Sequence, residues 1–192
     1  MARAEANAPA GAKGMPGIII PKKTVSEVQK LLEGVEGDVA VELSETKIRF
    51  TLDGVVLLSK LIEGTFPDYE RVTPKNNDKQ LSVDRASFAL AVDRVSTIAS
   101  DRGGKAVKLS VKEGQLELSV TNPDHGTATE ELAVTFEPET FEIGFNARYL
   151  LDIVGQIRSE NAIFLFNDSG SPTLVKEDGE AKALYVLMPM RV

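Results

Sequence analysis

The stretch KQLSVDRASFALAVDRVSTIASD, residues 79–101, changes its apolar period near the middle, and this change sets the fold. Its first six residues alternate between polar and apolar side chains, as in a half-buried strand. The apolar side chains after Asp84 share one face of a helix: Phe88, Ala91, Val92, Val95 and Ile98. The stretch therefore predicts a strand that leads directly into an amphipathic helix.

Three alternating segments follow this helix and predict three strands: AVKLSVK at 106–112, QLELSVTN at 115–122 and ATEELAVTF at 128–136. The first two are joined across Glu113-Gly114, a pair that is typical of a hairpin turn. The same five elements recur from residue 141, where Asn146 caps the helix, and they also precede from residue 17. The chain thus holds three βαβββ units, whose starts lie about 60 residues apart.

One βαβββ unit cannot bury both a sheet face and a helix stripe by itself, whereas two units can bury them against each other. We therefore predict an α+β fold with helices on one face and antiparallel sheets on the other. Residues 75–192 would form one complete two-unit domain, and residues 18–74 would form half a domain with a connector. Residues 1–17, rich in Ala, Gly and Pro, are predicted to be a linker.

The composition limits the classes of function. Hydrophobic residues make up 42% of the chain. The chain has no cysteine, which excludes disulfides, cysteine nucleophiles and thiolate metal sites. The longest apolar runs are too short to span a membrane, and the first 17 residues lack the apolar core of a signal peptide. The net charge of −7 argues against tight binding of nucleic acid by charge, although one locally basic face could still contact it loosely.

Residues for catalysis are sparse. The single histidine, His125, lies in the turn-rich string NPDH and could hold a metal only with distant partners. The string DRGGK at 101–105 lacks the spacing of a phosphate-binding loop and is more simply a turn. We therefore expect a protein that is not an enzyme and that needs no cofactor.

Four strings carry a resemblance to a known family: IIPKKTV at 19–25, SKLIEGTFPDYERVTPK at 59–75, EIGFN with RYLLD at 142–152, and YVLMPMRV at 185–192. In their order and spacing the chain resembles the bacterial sliding clamp, the β subunit of DNA polymerase III. The resemblance runs from about residue 12 to the end. It implies the second half of the clamp's middle domain, followed by its complete last domain.

The resemblance implies a cytoplasmic DNA-replication processivity factor that is not a membrane protein. Such clamps form homo-oligomeric rings around double-stranded DNA, which they contact weakly and without sequence specificity. They tether the DNA polymerase III α subunit, the clamp loader and other proteins that carry a clamp-binding motif. An alternative is a free peptide-binding or decoy module, which competes for those clients without encircling DNA.

Short client peptides would bind a pocket on the last domain. The positions that match this pocket are Pro67, Arg71, Val72, Pro172, Val186, Leu187, Met188, Pro189, Met190 and Arg191. Methionine is flexible and polarizable, and so it adapts to different apolar anchors. Without the resemblance, the terminal VLMPM would be interpreted as a core strand with a frayed end, and Arg71 as a solvated loop charge.

Two further surfaces are implied by the resemblance. The basic residues expected to face DNA from the helices are Lys22, Lys23, Arg94, Arg148 and Arg158. The residues expected at the ring junction are Ile98, Asp124, Glu130 and Glu131. Acidic residues share these helices, so a mixed solvated surface is the alternative to DNA contact. The junction residues could equally be a core side chain and an ordinary hairpin loop.

The chain does not contain the Gly-His-Arg-Leu turn that forms another wall of the family's pocket, nor the clamp's first domain. A standard two-chain ring therefore cannot close from these residues alone. The unpaired first unit should expose a helix stripe and a sheet edge. We expect two such halves from different chains to pair about a two-fold axis, and light scattering would detect the resulting dimer.

Overall fold

The computed structural model describes residues 1–9, 11–99, 105–136, 140–179 and 182–192. They fall into two units. Unit 1 comprises Met1–Asn7 with Tyr69–Val192, and unit 2 comprises Ala8–Asp68. The predicted boundary between residues 74 and 75 thus lies a few residues beyond the observed one.

The elements are, in chain order, β1 Ala2–Ala4, α1 Lys22–Leu32, β2 Ala40–Leu43, β3 Lys47–Leu52, β4 Val55–Lys60, the 3-10 helix η1 Tyr69–Arg71, β5 Lys79–Asp84, α2 Arg85–Ser96, β6 Ala106–Lys112, β7 Gln115–Asn122, β8 Gly126–Ala133, β9 Phe141–Asn146, α3 Ala147–Val154, β10 Asn161–Phe166, β11 Thr173–Glu177 and β12 Ala183–Leu187. None of the helices in the described part of the chain is long and apolar enough to cross a membrane.

Unit 1 contains the two complete βαβββ repeats, as the periodicity predicts. Its strands form a five-stranded sheet of order β1-β12-β11-β10-β5 and a four-stranded sheet of order β8-β7-β6-β9. The first strand of each repeat joins the sheet of the other repeat, since β5 pairs with β10 and β9 pairs with β6. Neither repeat can therefore complete its sheet without the other.

The core of unit 1 lies among these two sheets and the two helices. α2 packs beside α3, and the face of α2 predicted to be apolar is buried at Phe88, Ala91, Val92 and Val95. The ring of Phe88 meets that of Phe164 on β10, with centroids 5.2 Å apart. This aromatic contact joins the helix of one repeat to a strand of the other and so helps to hold the two repeats together.

Both helices begin where the sequence places a capping side chain directly after a strand. The Asp84 carboxylate accepts a hydrogen bond from the Ser87 amide at 2.7 Å. Hydrogen bonding by the Ser87 side chain, and after it by this amide, lowers the pKa of Asp84. Asn146 Oδ1 accepts from the amides of Arg148 at 2.9 Å and Tyr149 at 3.3 Å. The apolar pattern of the third unit predicts a helix over residues 147–159, which is too long, because α3 ends at Val154 with Gly155 at its C-cap.

Unit 2 contains α1 and the three-stranded sheet β2-β3-β4. Residues 17–21, predicted to be a strand, are not assigned as one, although the Ile62 amide donates to the Ile19 carbonyl at 2.9 Å. The apolar stripe of α1 is only partly covered, and Val25 remains 48% exposed. Ile48 and Leu52 on β3 are the buried apolar residues of this unit.

The interpretation of residues 1–17 as a linker was wrong at its start, because Ala2–Ala4 form a strand. β1 pairs antiparallel with β12, with Ala2 opposite Tyr185 and Ala4 opposite Ala183. Alternation cannot identify a strand of three small and charged residues, and its partner lies more than 180 positions along the chain. The segment is ordered by the edge of β12 rather than by its own side chains.

Replacing Asn146 with Ala should destabilise unit 1 by about 1 kcal/mol, because two amides at the start of α3 lose their acceptor. Urea unfolding of the parent chain and the variant would measure the difference. Asn146→Ser, which keeps an acceptor oxygen, should recover most of the loss. Equal midpoints for the parent and the alanine variant would contradict the capping role.

Candidate peptide-binding site

An apolar row crosses the outer face of the five-stranded sheet. We define this apolar row as Met1, Val186, Leu174 and Leu165, each opposite the next on neighbouring strands. Met1 and Val186 exchange two backbone hydrogen bonds, each 2.8 Å long. Residues that are directly opposite in an antiparallel sheet share a face, and so the four side chains form one strip.

The residues one position away point to the other face of the sheet. Phe164 and Val175 are fully buried, and Tyr185 packs partly buried against the same core. Leu187 also lies in this core at 4% exposure, and Val186 in the apolar row is 5% exposed. These two predicted pocket residues therefore offer little surface to a ligand and chiefly support the neighbours that do.

The segment after β12, residues 188–192, is called the tail. Met188 is 62% exposed, whereas Pro189 and Met190 are half-buried and Arg191 is exposed. The Met190 amide donates to the Gly144 carbonyl on β9 at 2.8 Å. The tail is thus held at its start by β12 and at Met190 by β9, and it exposes Met188, two residues after Val186 of the apolar row, to solvent.

The connector before β5 contributes η1 and the residues after it. The Arg3 guanidinium lies 5.4 Å from the centroid of the Tyr69 ring, which joins β1 to η1. Arg71 and Val72, both predicted pocket residues, are exposed at the end of this turn. Pro67 is also exposed but belongs to unit 2.

Asn77 is a residue that the sequence analysis missed. Its side-chain amide donates to the carbonyl of Leu165 at 2.7 Å and to that of Pro172 at 2.9 Å. It therefore fixes the connector against the turn that carries Pro172, which is half-buried. The pair Asn76-Asn77 before a predicted strand was the available signal, because asparagine favours turns and side-chain bonds to the backbone.

The chemistry of this candidate surface is mainly apolar. It combines an apolar row, two methionines and exposed arginines at Arg71 and Arg191. Such surfaces hold hydrophobic side chains by burial and leave polar ends to charged neighbours. Within the ranges that the structure describes, no cluster of three or more residues could hold a metal ion.

The residues predicted to face DNA lie in different settings. Lys22 and Lys23 are exposed at the start of α1, and Arg148 is exposed at the start of α3. Arg158 is exposed but follows the end of α3, so its assignment to that helix was wrong; its amide donates to Glu177 Oε1 at 2.8 Å.

Arg94 on α2 forms a two-pronged ion pair with Glu130 on β8, with Nη2 to Oε2 at 2.6 Å. The sequence predicts Arg94 at the DNA face and Glu130 at the ring junction. Their mutual contact means that a phosphate or a partner subunit would have to compete with an existing pair. Hydrogen bonding by Arg94 holds the pKa of Glu130 below its ordinary value.

The other predicted junction residues lie near the same strand. Ile98 packs partly buried against the core, and its carbonyl accepts from Asn122 Nδ2 at 2.7 Å. Asp124 is exposed in the turn between β7 and β8, where its amide donates to Asn122 Oδ1 at 2.8 Å. Glu131 is exposed on β8, which is an edge of the four-stranded sheet. Ile98 therefore has a structural role whether or not this edge forms a junction.

Comparison with known proteins identifies close similarities over both units. A family model described as "DNA polymerase III beta subunit, C-terminal domain" matches residues 70–191. A second, described as "DNA polymerase III beta subunit, central domain", matches residues 1–68. Together the two matches extend over nearly the whole chain.

Individual relatives agree with the family models. The chain is 48% identical to the beta sliding clamp of Caulobacter vibrioides, over all of this chain and 51% of that protein. It is 35% identical to the beta sliding clamp of Escherichia coli K12, over 91% of this chain and 48% of that one. The chain thus spans about half the length of these relatives.

The crystal structure of a Bartonella birtlesii sliding clamp bound to griselimycin superposes with a TM-score of 0.94. The two sequences are 56% identical, and the match covers all of this chain and 51% of that one. The two proteins are therefore similar both in sequence and in fold.

The Arg94–Glu130 pair should make stability depend on pH in one direction. The pKa of Glu130 is lower in the folded chain than in the unfolded one. The stabilisation that its ionised carboxylate contributes is therefore fully present above about pH 4.3. It is lost as the pH falls through the folded value. The melting temperature of Glu130→Gln should lie slightly below that of the parent at pH 7, and the gap should be smaller at pH 3.

Glu131→Gln is the matched control, since this neighbour lies on the same strand and Arg94 bonds to Glu130 instead. Differential scanning calorimetry at both pH values would measure all three chains. A gap for Glu130→Gln that persists unchanged at pH 3 would contradict the ion-pair explanation. So would an equal gap for Glu131→Gln.

Proposed function

The chain belongs to the DNA polymerase III β subunit family, the bacterial sliding clamps, and on that premise we propose that unit 1 docks short peptide segments of replication and repair proteins. The observation that supports this most directly is the exposed Met188, which follows Val186 of the apolar row by two residues. An exposed apolar side chain next to a continuous apolar strip is typical of a recognition surface.

The energetics favour a peptide with a few apolar anchors. Burying one leucine, methionine or phenylalanine side chain contributes about 1.5–3 kcal/mol. The free energy gained by burying two such anchors would exceed the cost of ordering a short peptide only modestly, because association itself has a large entropic cost. Binding of weak to moderate affinity results, and this suits a surface that exchanges one client for another.

The wider role is that of a processivity component that is not an enzyme. The clients would be the DNA polymerase III α subunit, the clamp loader and other proteins with a clamp-binding motif, in the cytoplasm. The ring around double-stranded DNA would be a homo-oligomer with its helices facing the duplex. Family membership supports this assignment, and α2 lies beside α3 in unit 1 as such a lining requires.

Contact with DNA would be loose. The net charge is −7, and Arg94 already contacts Glu130, so this cation would have to leave its partner before it could release counterions from phosphates. A ring that encloses the duplex is retained by its shape and does not need tight phosphate contacts. The acidic composition is therefore compatible with sliding.

Fluorescence titration with a labelled peptide tests the docking proposal. The peptide carries Gln-Leu-Ser-Leu-Phe, which follows the Gln-Leu-x-Leu-Phe-like pattern that the family resemblance implies for clients. The parent chain should bind saturably, and Met188→Ala should lower affinity about tenfold, because one apolar contact of the anchor is lost. Leu90→Ala is the matched control, since Leu90 is similarly exposed at 57% but lies on α2. Its affinity should equal that of the parent.

No saturable binding by the parent, or equal losses in both variants, would contradict the docking proposal. Retention of the chain on circular, but not linear, duplex DNA tests the ring separately. Peptide binding without such retention would favour the alternative of a free peptide-binding module.

A further inference from the structure

We propose that Gly144 is a positioning residue for the tail, and that a side chain at this position would detach the tail from β9. The inference rests on the proposed function only in so far as the tail serves peptide binding. Gly144 is buried in β9, and its carbonyl accepts the Met190 amide at 2.8 Å. This bridge lies outside the regular strand pairings.

Space at Gly144 is already filled by the tail itself. A Cβ atom added there would lie 2.7 Å from the Met190 carbonyl oxygen and 2.8 Å from Val192 Cγ2. Real Cβ atoms essentially never approach other atoms so closely. One of these contacts is to backbone, which cannot turn aside as a side chain can, and so the tail would have to move.

The other repeat of unit 1 shows the same position without this constraint. Ser82 on β5 is equivalent to Gly144, because each lies two residues before the capping residue of the following helix, Asp84 or Asn146. Ser82 and Thr135 also form an isolated bridge, with bonds of 3.0 and 3.1 Å. A side chain is therefore compatible with the bridge in that repeat.

The two repeats differ in the residues that come after the bridge. After Met190 the chain brings the Val192 side chain directly over Gly144. Because glycine has no Cβ atom, the tail can approach β9 at Gly144 more closely than the segment with Thr135 can approach β5 at Ser82. This approach fixes Met190 in the middle of the tail, and with it the path of the two residues between Met190 and β12, of which Met188 is exposed.

The first test is Gly144→Ala, with Ser82→Ala as the matched control at the equivalent bridge. Affinity for the labelled Gln-Leu-Ser-Leu-Phe peptide should fall about tenfold or more in Gly144→Ala and stay at the parent value in Ser82→Ala. Unchanged affinity in Gly144→Ala would overturn the proposal.

A second measurement separates loss of the tail contact from general damage to the fold. Amide hydrogen exchange without peptide should show that Met190 loses protection in Gly144→Ala, whereas amides in the β6–β9 ladder keep theirs. Adding Val192→Ala to Gly144→Ala removes both Val192 methyl groups that clash, leaves only the clash with the Met190 carbonyl oxygen, and should restore part of the affinity. A Met190 amide that stays protected, or a double variant no better than the single one, would overturn the proposal.

The two hypotheses fail in different ways. If the parent chain does not bind the peptide, the proposed function fails. The exchange of the Met190 amide then still decides whether Gly144 holds the tail.

Discussion

The exchange of first strands between the two repeats of unit 1 is the constraint on which the rest of that unit depends. β5 completes the sheet of the second repeat through β10, and β9 completes the sheet of the first through β6. Each repeat buries its helix only when the other is present, so the two must fold as one cooperative body. The contact of Phe88 with Phe164 lies at the centre of this exchange, between the helix of one repeat and the sheet of the other.

The exchange also decides where the candidate site lies. It leaves β12 inside the five-stranded sheet, between β11 and β1, with the apolar row on its outer face. It also places β9 at an edge of the four-stranded sheet, where the tail finds its hydrogen-bond acceptor at Gly144. A tail that leaves a strand of one sheet is thus fixed by a strand of the other, which limits its freedom without a further element.

Charge and apolar surface have separate roles in this chain. The ion pair of Arg94 with Glu130 neutralises a cation that the sequence predicts at DNA and an anion that it predicts at a junction. The methionine side chains of the tail and the apolar row carry no charge that such a pair could neutralise. The recognition that we propose for unit 1 would therefore depend on burial of apolar side chains more than on attraction of charge.

The sequence by itself determined the two complete repeats, the buried face of α2 and the cap at Asn146, because periodicity and capping act within a few residues. It also marked the tail as unusual through its two methionines around a proline. Only the tertiary structure decided that residues 2–4 are a strand, that Asn77 ties the connector to Pro172, and that Gly144 receives the tail. These contacts join residues tens to more than 180 positions apart, and a local pattern carries no information on which distant strand edge or carbonyl lies nearby.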